Sequence, residues 1–226
     1  LGDILGGLME DPDAQSSDTD GRLSLQGGAP YESQVYIDGL RLPNPYSISS
    51  KNSSVRSILS PSECKEINLL SGGYSASMGQ ALSGVIQIFS RDTKDVKPGC
   101  FVSLSSIGPS FTWGLGAPSS ATKLELSASY TDLSLYDRVL PSAYPYTRSF
   151  YSPSLTASLW HDQPQATLKA QLSYTGMGLG YRPNASLPTF HSRLREDRYY
   201  GRLTYVRSLG TACQLEVGAH TQYSDF

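Results

Sequence analysis

The sequence after residue 99 alternates apolar with polar residues in long, regular runs. Leu124, Leu126 and Ala128, for example, are separated by Glu125 and Ser127. Because successive side chains of a β-strand point to opposite faces, this alternation predicts strands with one apolar and one polar face. The runs last about ten residues, the length of a tilted membrane-crossing strand, whereas strands of globular proteins usually have roughly 5–6 residues. About seven such strands are predicted, near residues 100–107, 110–116, 122–132, 151–160, 165–175, 198–208 and 212–224.

The connections between these strands also alternate in length. Residues 162–164 and 208–211 are short connections, whereas residues 133–149 and 176–197 are long ones. Short turns on one side and long loops on the other are typical of outer-membrane β-barrels. Several tyrosines stand near predicted strand ends, where they would suit a membrane interface, namely Tyr130, Tyr151, Tyr174, Tyr199 and Tyr223.

Residues 99–226 are therefore predicted to be the N-terminal part of an antiparallel transmembrane β-barrel. Single-chain bacterial barrels have an even number of strands, so a set of about seven predicts an incomplete barrel. A soluble β-sandwich, whose strands alternate in the same way, remains the alternative at this point.

Residues 1–98 have a different pattern, in which short elements are separated by glycine-rich turns. The apolar spacing over residues 1–9 predicts a short amphipathic helix, and the acidic residues 11–20 predict a loop. Asp38-Gly39 predicts a tight turn, and residues 60–63 have the capping residues of a helix start. The first half is therefore predicted to be a small α+β domain with four strands, at residues 22–26, 34–37, 67–70 and 85–89.

The stretch "LSGGYSASMGQALSGVIQIFSR" at residues 70–91 is unusually rich in glycine. The spacing of Gly79 and Gly84 matches part of a phosphate-binding loop, but Val85 follows where that loop needs lysine. The sequence thus excludes a phosphate loop and leaves the glycines to tight turns or to close packing of the backbone.

Composition and motifs exclude several classes of function. Charged residues make up 17% of the 226 residues and the net charge is −2, which argues against a nucleic-acid partner. The three histidines are scattered, and no nucleophile motif occurs, so we expect no catalytic residues, no metal site, no cofactor and no enzyme activity. Cys64, Cys100 and Cys213 have no metal-ligand spacing and are interpreted as small apolar side chains, with a Cys64–Cys100 disulfide as the alternative.

The first half resembles the plug domain of TonB-dependent outer-membrane receptors. The resemblance is carried by "DILGGLMED" near the start, by "GRLSLQGGAPYESQVYIDGLRLPNPYS" at 21–47 and by "LSPSECKEINLLSGGYSASMGQALSGVIQIFSR" at 59–91. It covers nearly all of residues 1–91, and the order of plug and strands also matches the family. The phrase "GGYSASMGQALSGV" is similar to receptors of the Bacteroidetes group.

This resemblance implies a location in the bacterial outer membrane, among outer-membrane lipid and lipopolysaccharide. In such receptors the plug sits inside a barrel of about 22 strands. They bind a scarce extracellular ligand, such as a siderophore, haem, cobalamin, a glycan or a peptide, and import it. A TonB-type complex pulls on an N-terminal box, which would precede Leu1 here. A surface lipoprotein or another outer-membrane protein is a further partner to expect.

The resemblance also assigns candidate site residues. Ligand contacts in the family come from apical plug loops, which here correspond to residues 28–33 and 43–54. These loops offer Tyr31, Asn44, Tyr46, Ser49, Lys51 and Asn52 as ligand-binding candidates. The glycines Gly72, Gly73, Gly79 and Gly84 are expected to let the plug backbone turn tightly and pack closely against the barrel wall.

Three positions depart from the family pattern. Gln26, Asn68 and Ser71 are neutral where the family usually has charged residues that tie the plug to the barrel. Their neutrality raises an alternative function, a receptor-like structural or partner subunit of an outer-membrane complex without energised transport. A soluble β-rich adhesin or secreted domain is the second alternative.

Overall fold

The computed structural model describes residues 4–16, 22–47, 57–59, 63–139, 146–181, 192–210 and 213–226. The chain divides into two compact units, Leu1–Asp92 and Thr93–Phe226. Within the described residues, no helix is long and apolar enough to cross a membrane.

The first unit begins with a short helical segment and a small sheet. Helix α1 (Ile4–Gly7) continues as one turn of 3₁₀ helix (Leu8–Glu10), which agrees with the predicted helix over the residues that the structure describes. Strand β1 (Ala14–Ser16) then pairs antiparallel with β2 (Leu23–Leu25). The predicted loop over residues 11–20 is therefore wrong at Ala14–Ser16, because Ala14 is buried and its strand pairs with the fully buried β2.

A four-stranded sheet forms the rest of the first unit. Its strands are β3 (Ser33–Ile37), β4 (Leu40–Leu42), β5 (Cys64–Leu70) and β6 (Gly84–Ser90). The order is β4-β3-β6-β5, in which β3 and β6 are parallel and the other pairs are antiparallel. The four predicted strands are thus confirmed as β2, β3, β5 and β6. The predicted helix start lies mostly outside the described residues, and β5 already begins at Cys64.

The predicted Asp38-Gly39 turn is confirmed. Asp38 and Gly39 have φ values of 45° and 78°, and Ile37 pairs with Leu40 across the turn. Positive φ at both central residues is the geometry that a two-residue hairpin favours. The Asp38 carboxylate accepts hydrogen bonds from the backbone N–H (2.9 Å) and the hydroxyl of Ser90. These bonds tie the hairpin to the end of β6.

The second unit contains one continuous antiparallel sheet. A 3₁₀ turn (Thr93–Asp95) precedes the first strand, and helix α2 (Ser134–Val139) lies between the third and fourth strands. Each strand pairs with its neighbours in the chain. The seven strands are β7 (Gly99–Ser105), β8 (Gly108–Leu115), β9 (Thr122–Asp132), β10 (Tyr146–Gln163), β11 (Ala166–Tyr181), β12 (Ser192–Ser208) and β13 (Gln214–Asp225). The predicted set of about seven strands is confirmed.

Three of these strands are longer than predicted. Strands β10, β11 and β12 have 18, 16 and 17 residues. The predicted long loops over 133–149 and 176–197 are therefore wrong at their edges, where residues 146–149, 176–181 and 192–197 are strand. In "GMGLGY" (residues 176–181) glycine occupies every second position and the alternation is kept, so the strand continues through these glycines.

The pairing register gives the seven-stranded sheet an apolar face and a polar face. Leu203, for example, pairs with Ala170 on one side and Ala219 on the other, so side chains of one character line up across neighbouring strands. The large exposed side chains of the apolar face are Val102, Leu104, Phe111, Trp113, Leu155, Leu172, Leu203, Leu215 and Val217. The polar face includes the buried side chains of Lys123, Glu125, Gln171, Glu196, Arg198, Arg202 and Thr204.

Tyrosines border the apolar face, as the sequence predicted. Tyr174 pairs with Tyr199, and Tyr199 pairs with Tyr223. Their ring centroids are 5.2 and 6.3 Å apart, so the three rings form a continuous row. Tyr130 and Tyr151 lie on the same face, farther along β9 and β10. Aromatic rings with a polar tip are the usual border of a membrane-facing surface.

Candidate ligand-binding site

The first unit contains a cavity of about 190 Å³ at the end of its four-stranded sheet. Strand β4 is antiparallel to β3, so the residues before β3 and those after β4 meet at this end. A 3₁₀ turn (Pro30–Glu32) leads into β3, and Pro43-Asn44-Pro45 leads away from β4. The cavity is lined by Arg22, Pro30, Tyr31, Ser33, Gln34, Val35, Arg41, Leu42, Pro43, Asn44, Pro45, Tyr46 and Ile86.

Tyr46 is held in place at one wall of this cavity. The backbone N–H of Leu23 donates a hydrogen bond to the Tyr46 hydroxyl at 3.1 Å. The Tyr46 N–H donates to Oδ1 of Asn44 at 3.2 Å. The guanidinium of Arg22 lies 5.5 Å from the centroid of the Tyr46 ring, within the range of a cation–π contact. Asn44, Tyr46 and Arg22 therefore form a connected wall.

Arg41 is oriented by two amide side chains at the opposite wall. Its Nε donates to Oε1 of Gln34 at 2.7 Å, and a second guanidinium nitrogen donates to the side chain of Gln80. Nε2 of Gln34 in turn donates to the carbonyl of Tyr31 at 3.2 Å. Among the described residues that line the cavity, two are arginines and none is a carboxylate, so the cavity suits a ligand with negative charge.

The structure brings three of the six predicted ligand residues together. Tyr31, Asn44 and Tyr46 all line the cavity, and Tyr31 is 79% exposed. Ser49, Lys51 and Asn52 lie outside the described residues. Contact with a ligand stays a prediction for all six residues.

Sequence reasoning missed the two arginines of the cavity. The sequence predicts Arg22 only as the first residue of a strand, and Arg41 lies in the short "LRL" of β4. The position of Arg41 follows from alternation along β4. Leu42 is buried, so its neighbour Arg41 points to the opposite face of the strand. Arg22 could be placed only by its long-range position beside Tyr46.

The four predicted packing glycines have different surroundings. A Cβ atom added at Gly84 would lie 2.5 Å from Cδ1 of Leu25 and 3.1 Å from the carbonyl oxygen of Leu70. Gly72, Gly73 and Gly79 have open space at the same position, and Gly73 has a φ of 66°. Within the first unit, Gly84 therefore serves close packing and Gly73 serves a turn. Packing of these glycines against the wall of a barrel stays a prediction.

The three neutral positions and the three cysteines are also located by the structure. Gln26 follows β2 with a φ of 50°, Asn68 pairs with Gln87 across β5 and β6, and Ser71 directly follows β5. Cys64, Cys100 and Cys213 form no disulfide, so the alternative of a Cys64–Cys100 disulfide is wrong.

The polar face of the second unit has its own charged network on β12. Arg198 donates from Nε to Oε1 of Glu196 at 2.9 Å, and both side chains are almost fully buried. Arg202, two positions further along the same face, donates to Oε1 of Gln171 at 2.9 Å. Burying charges of this kind is costly unless they are paired and hydrogen-bonded, so these contacts hold the polar face in one arrangement.

No protein-family model matches the sequence, and no curated protein matches it. Solved structures do match. The FrpB iron transporter from Neisseria meningitidis (F3-3 variant) is 16% identical with a TM-score of 0.64, over 97% of this chain and 38% of that chain. The siderophore receptor PirA from Acinetobacter baumannii is 14% identical with a TM-score of 0.67, over 99% of this chain and 37% of that chain.

A third similar structure is a double mutant of the Serratia marcescens hemophore receptor HasR in complex with its hemophore HasA and heme. It is 18% identical with a TM-score of 0.59, over 98% of this chain and 35% of that chain. The chain thus spans less than two fifths of the length of these proteins. These matches give no support to the narrower resemblance to Bacteroidetes receptors. They confirm the predicted fold class: the chain has a TonB-dependent receptor-like fold, with an α+β unit followed by the strands of an incomplete antiparallel barrel.

Proposed function

We propose that the chain is the plug and the first part of the barrel wall of an outer-membrane TonB-dependent receptor that binds and imports an anionic extracellular ligand. Residues 1–98 are proposed as the plug, and residues 99–226 as the wall. The one-sided apolar face with its tyrosine row supports a membrane location and disfavours a soluble adhesin. A receptor of this kind contacts outer-membrane lipid and a TonB-type complex, and its proposed function requires no catalytic residue.

The observation that carries the ligand class is the arginine-lined cavity of the first unit. Arg22 and Arg41 are its charged residues, and both are oriented by neighbouring groups before any ligand arrives. Guanidinium groups that are already oriented lose less freedom on binding, which favours affinity. The proteins with similar structures include an iron transporter, a siderophore receptor and a hemophore receptor. An anionic iron chelate is therefore the ligand that we propose.

Two iron chelates of different charge test this proposal. Ferric tris-catecholate is trianionic, whereas ferric tris-hydroxamate is neutral, and each can be titrated onto the purified full-length protein with tryptophan or tyrosine fluorescence as the signal. We expect the trianionic chelate to bind more tightly. Arg41→Gln should weaken it by about tenfold, since a hydrogen bond to a charged group is worth roughly 1.5–3 kcal/mol. Arg138→Gln on helix α2 is the matched control and should change nothing. Equal affinity for both chelates, or no effect of Arg41→Gln, would refute an anionic ligand site.

The alternative of a partner subunit without energised transport rests on Gln26, Asn68 and Ser71. These side chains supply no charge where the family usually has one. Uptake of the bound chelate into cells, with and without a working TonB complex, separates the two functions. Binding that is never followed by TonB-dependent uptake would favour the partner subunit.

A further inference from the structure

Three arginines stand on the apolar face of the second unit, just beyond the tyrosine row. Beyond Tyr199, the next positions of β12 on this face are Asp197, Arg195 and Arg193. Arg195 pairs with a glycine of β11, and Arg193 pairs with the next glycine on the same face. Arg148 of β10 reaches this second glycine from the other side. The three pairs are Gly178↔Arg195, Gly180↔Arg193 and Arg148↔Gly180.

Side chains of the neighbouring strands lie over the glycines of β11. A Cβ atom added at Gly178 would lie 2.5 Å from ring atoms of Tyr151, so this ring lies directly over the glycine backbone. The guanidinium of Arg148 stacks on the Tyr151 ring, with Cζ 4.0 Å from the centroid. A cation–π contact of this kind is worth about 0.5–2 kcal/mol and holds the Arg148 guanidinium against the Tyr151 ring.

Arg195 is held on the other side of β11, on strand β12. Its Nε and one further nitrogen each lie 2.8 Å from Oδ2 of Asp197. The other oxygen of Asp197 accepts a hydrogen bond from Tyr174 at 2.8 Å, so the tyrosine row and the arginine are linked. Two of the three guanidinium groups are therefore oriented by the protein itself.

The arginine cluster (Arg148, Arg193 and Arg195) shares this face with three carboxylates. Asp197 pairs with Arg195, and Asp225 of β13 lies beside Asp197 in the register. Asp132 at the end of β9 attracts Arg148 and accepts hydrogen bonds from Ser134 N–H (2.7 Å) and the Tyr130 hydroxyl (3.3 Å). Within the described residues, Arg148 and Arg193 make no ion pair, and both are exposed.

The arginine cluster, with its oriented guanidinium groups, lies at one end of the apolar face. A ligand that fits both has apolar chains lying along the apolar face and a phosphate at the height of the arginines, because the guanidinium fork matches phosphate oxygens. We propose that the arginine cluster binds the phosphate of a phosphorylated lipid headgroup in the outer leaflet. The proposal rests on the membrane location given under the proposed function, but on neither the extracellular ligand nor transport.

Native mass spectrometry of the full-length protein in a nonionic detergent tests this site. The probes are a diphosphorylated glycolipid and the same glycolipid with its phosphates removed. The wild type should retain the phosphorylated lipid at least about tenfold more tightly, as expected for charged hydrogen bonds. The double variant Arg148→Gln with Arg193→Gln should lose this preference. Inorganic phosphate at millimolar concentration should not displace the lipid.

The matched control is Arg207→Gln, at the opposite end of the same strand and on the same apolar face. It should leave lipid binding unchanged. Heat-dependent migration of each variant on a gel reports whether its barrel is folded, and Arg148→Lys with Arg193→Lys keeps the charges if the glutamine variant does not fold. Equal binding of the two lipids, an equal loss with Arg207→Gln, or displacement by free phosphate would overturn the site. Fractionation of the wild type as a soluble protein would overturn the proposed membrane location as well.

Discussion

Gly84 and Gly79 lie in the same glycine-rich stretch and should respond in opposite ways to an added methyl group. Neither has a positive φ, so alanine is compatible with the backbone at both positions. At Gly84 the new Cβ would meet Cδ1 of Leu25 at 2.5 Å, about 1 Å closer than ordinary contact. Leu25 is fully buried and cannot swing into solvent. At Gly79 the new Cβ meets nothing within 4 Å.

The expected cost of Gly84→Ala is that of overpacking a core, about 1–3 kcal/mol. Gly79→Ala should be neutral or slightly stabilising, because alanine reduces the freedom of the unfolded chain. Hydrogen exchange of the full-length protein measures this difference locally. Gly84→Ala should speed the exchange of peptides from β5 and β6 by about 5- to 150-fold, the rate factor for that free energy.

A double variant shows whether Leu25 causes the effect. Leu25→Ala removes Cδ1 and leaves Cβ at 3.2 Å, so Gly84→Ala should cost much less on that background. Equal exchange rates for Gly84→Ala and Gly79→Ala, or a full cost without the Leu25 side chain, would refute the packing argument.

Two further predictions concern the second unit. Leu203→Arg places a charge midway along the apolar face, which should cost about 2–4 kcal/mol in lipid. We expect a lower yield of folded protein in the membrane fraction. Glu216→Arg, on the polar face, should leave this yield unchanged. Glu196→Ala removes the carboxylate to which buried Arg198 donates, and it should destabilise the detergent-solubilised protein by about 3–5 kcal/mol in thermal unfolding. Adding Arg198→Ala should recover part of that loss, and strictly additive costs would contradict the pairing.

Periodic features of the chain were predictable from the sequence. The alternation of Leu124, Leu126 and Ala128 with polar residues is a local signal, and β9 occupies the predicted residues 122–132. Strand β1 was missed because its partner β2, and not its own polar composition, makes it a strand. Strand β11 was predicted too short because glycines replace the larger side chains at every second position of residues 176–180, and β12 because residues 192–197 are mostly charged.

The candidate site was predictable only in part for a similar reason. Tyr31, Asn44 and Tyr46 were predicted from the resemblance, whose apical plug loops correspond to residues 28–33 and 43–54. Arg22 joins them through a contact with Tyr46, which lies 24 residues later in the chain, and no periodicity signals a contact over that separation. The hydrogen bonds that orient Arg41 likewise come from Gln34 and Gln80, which are distant in sequence from each other.

The parallel pairing of β3 with β6 has a consequence for the order in which this chain acquires structure. Ser33 pairs with Gly84 and Ile37 with Ile88, so the central contact of the first sheet closes a long loop. Closing such a loop costs chain entropy before any contact repays it, and topologies of this kind form slowly. Every pairing in the second sheet joins chain neighbours and can form one hairpin at a time. During folding, β3 therefore has both of its neighbours only after residues 84–88 have been brought back to it, whereas each strand of the second sheet needs only the next turn of the chain.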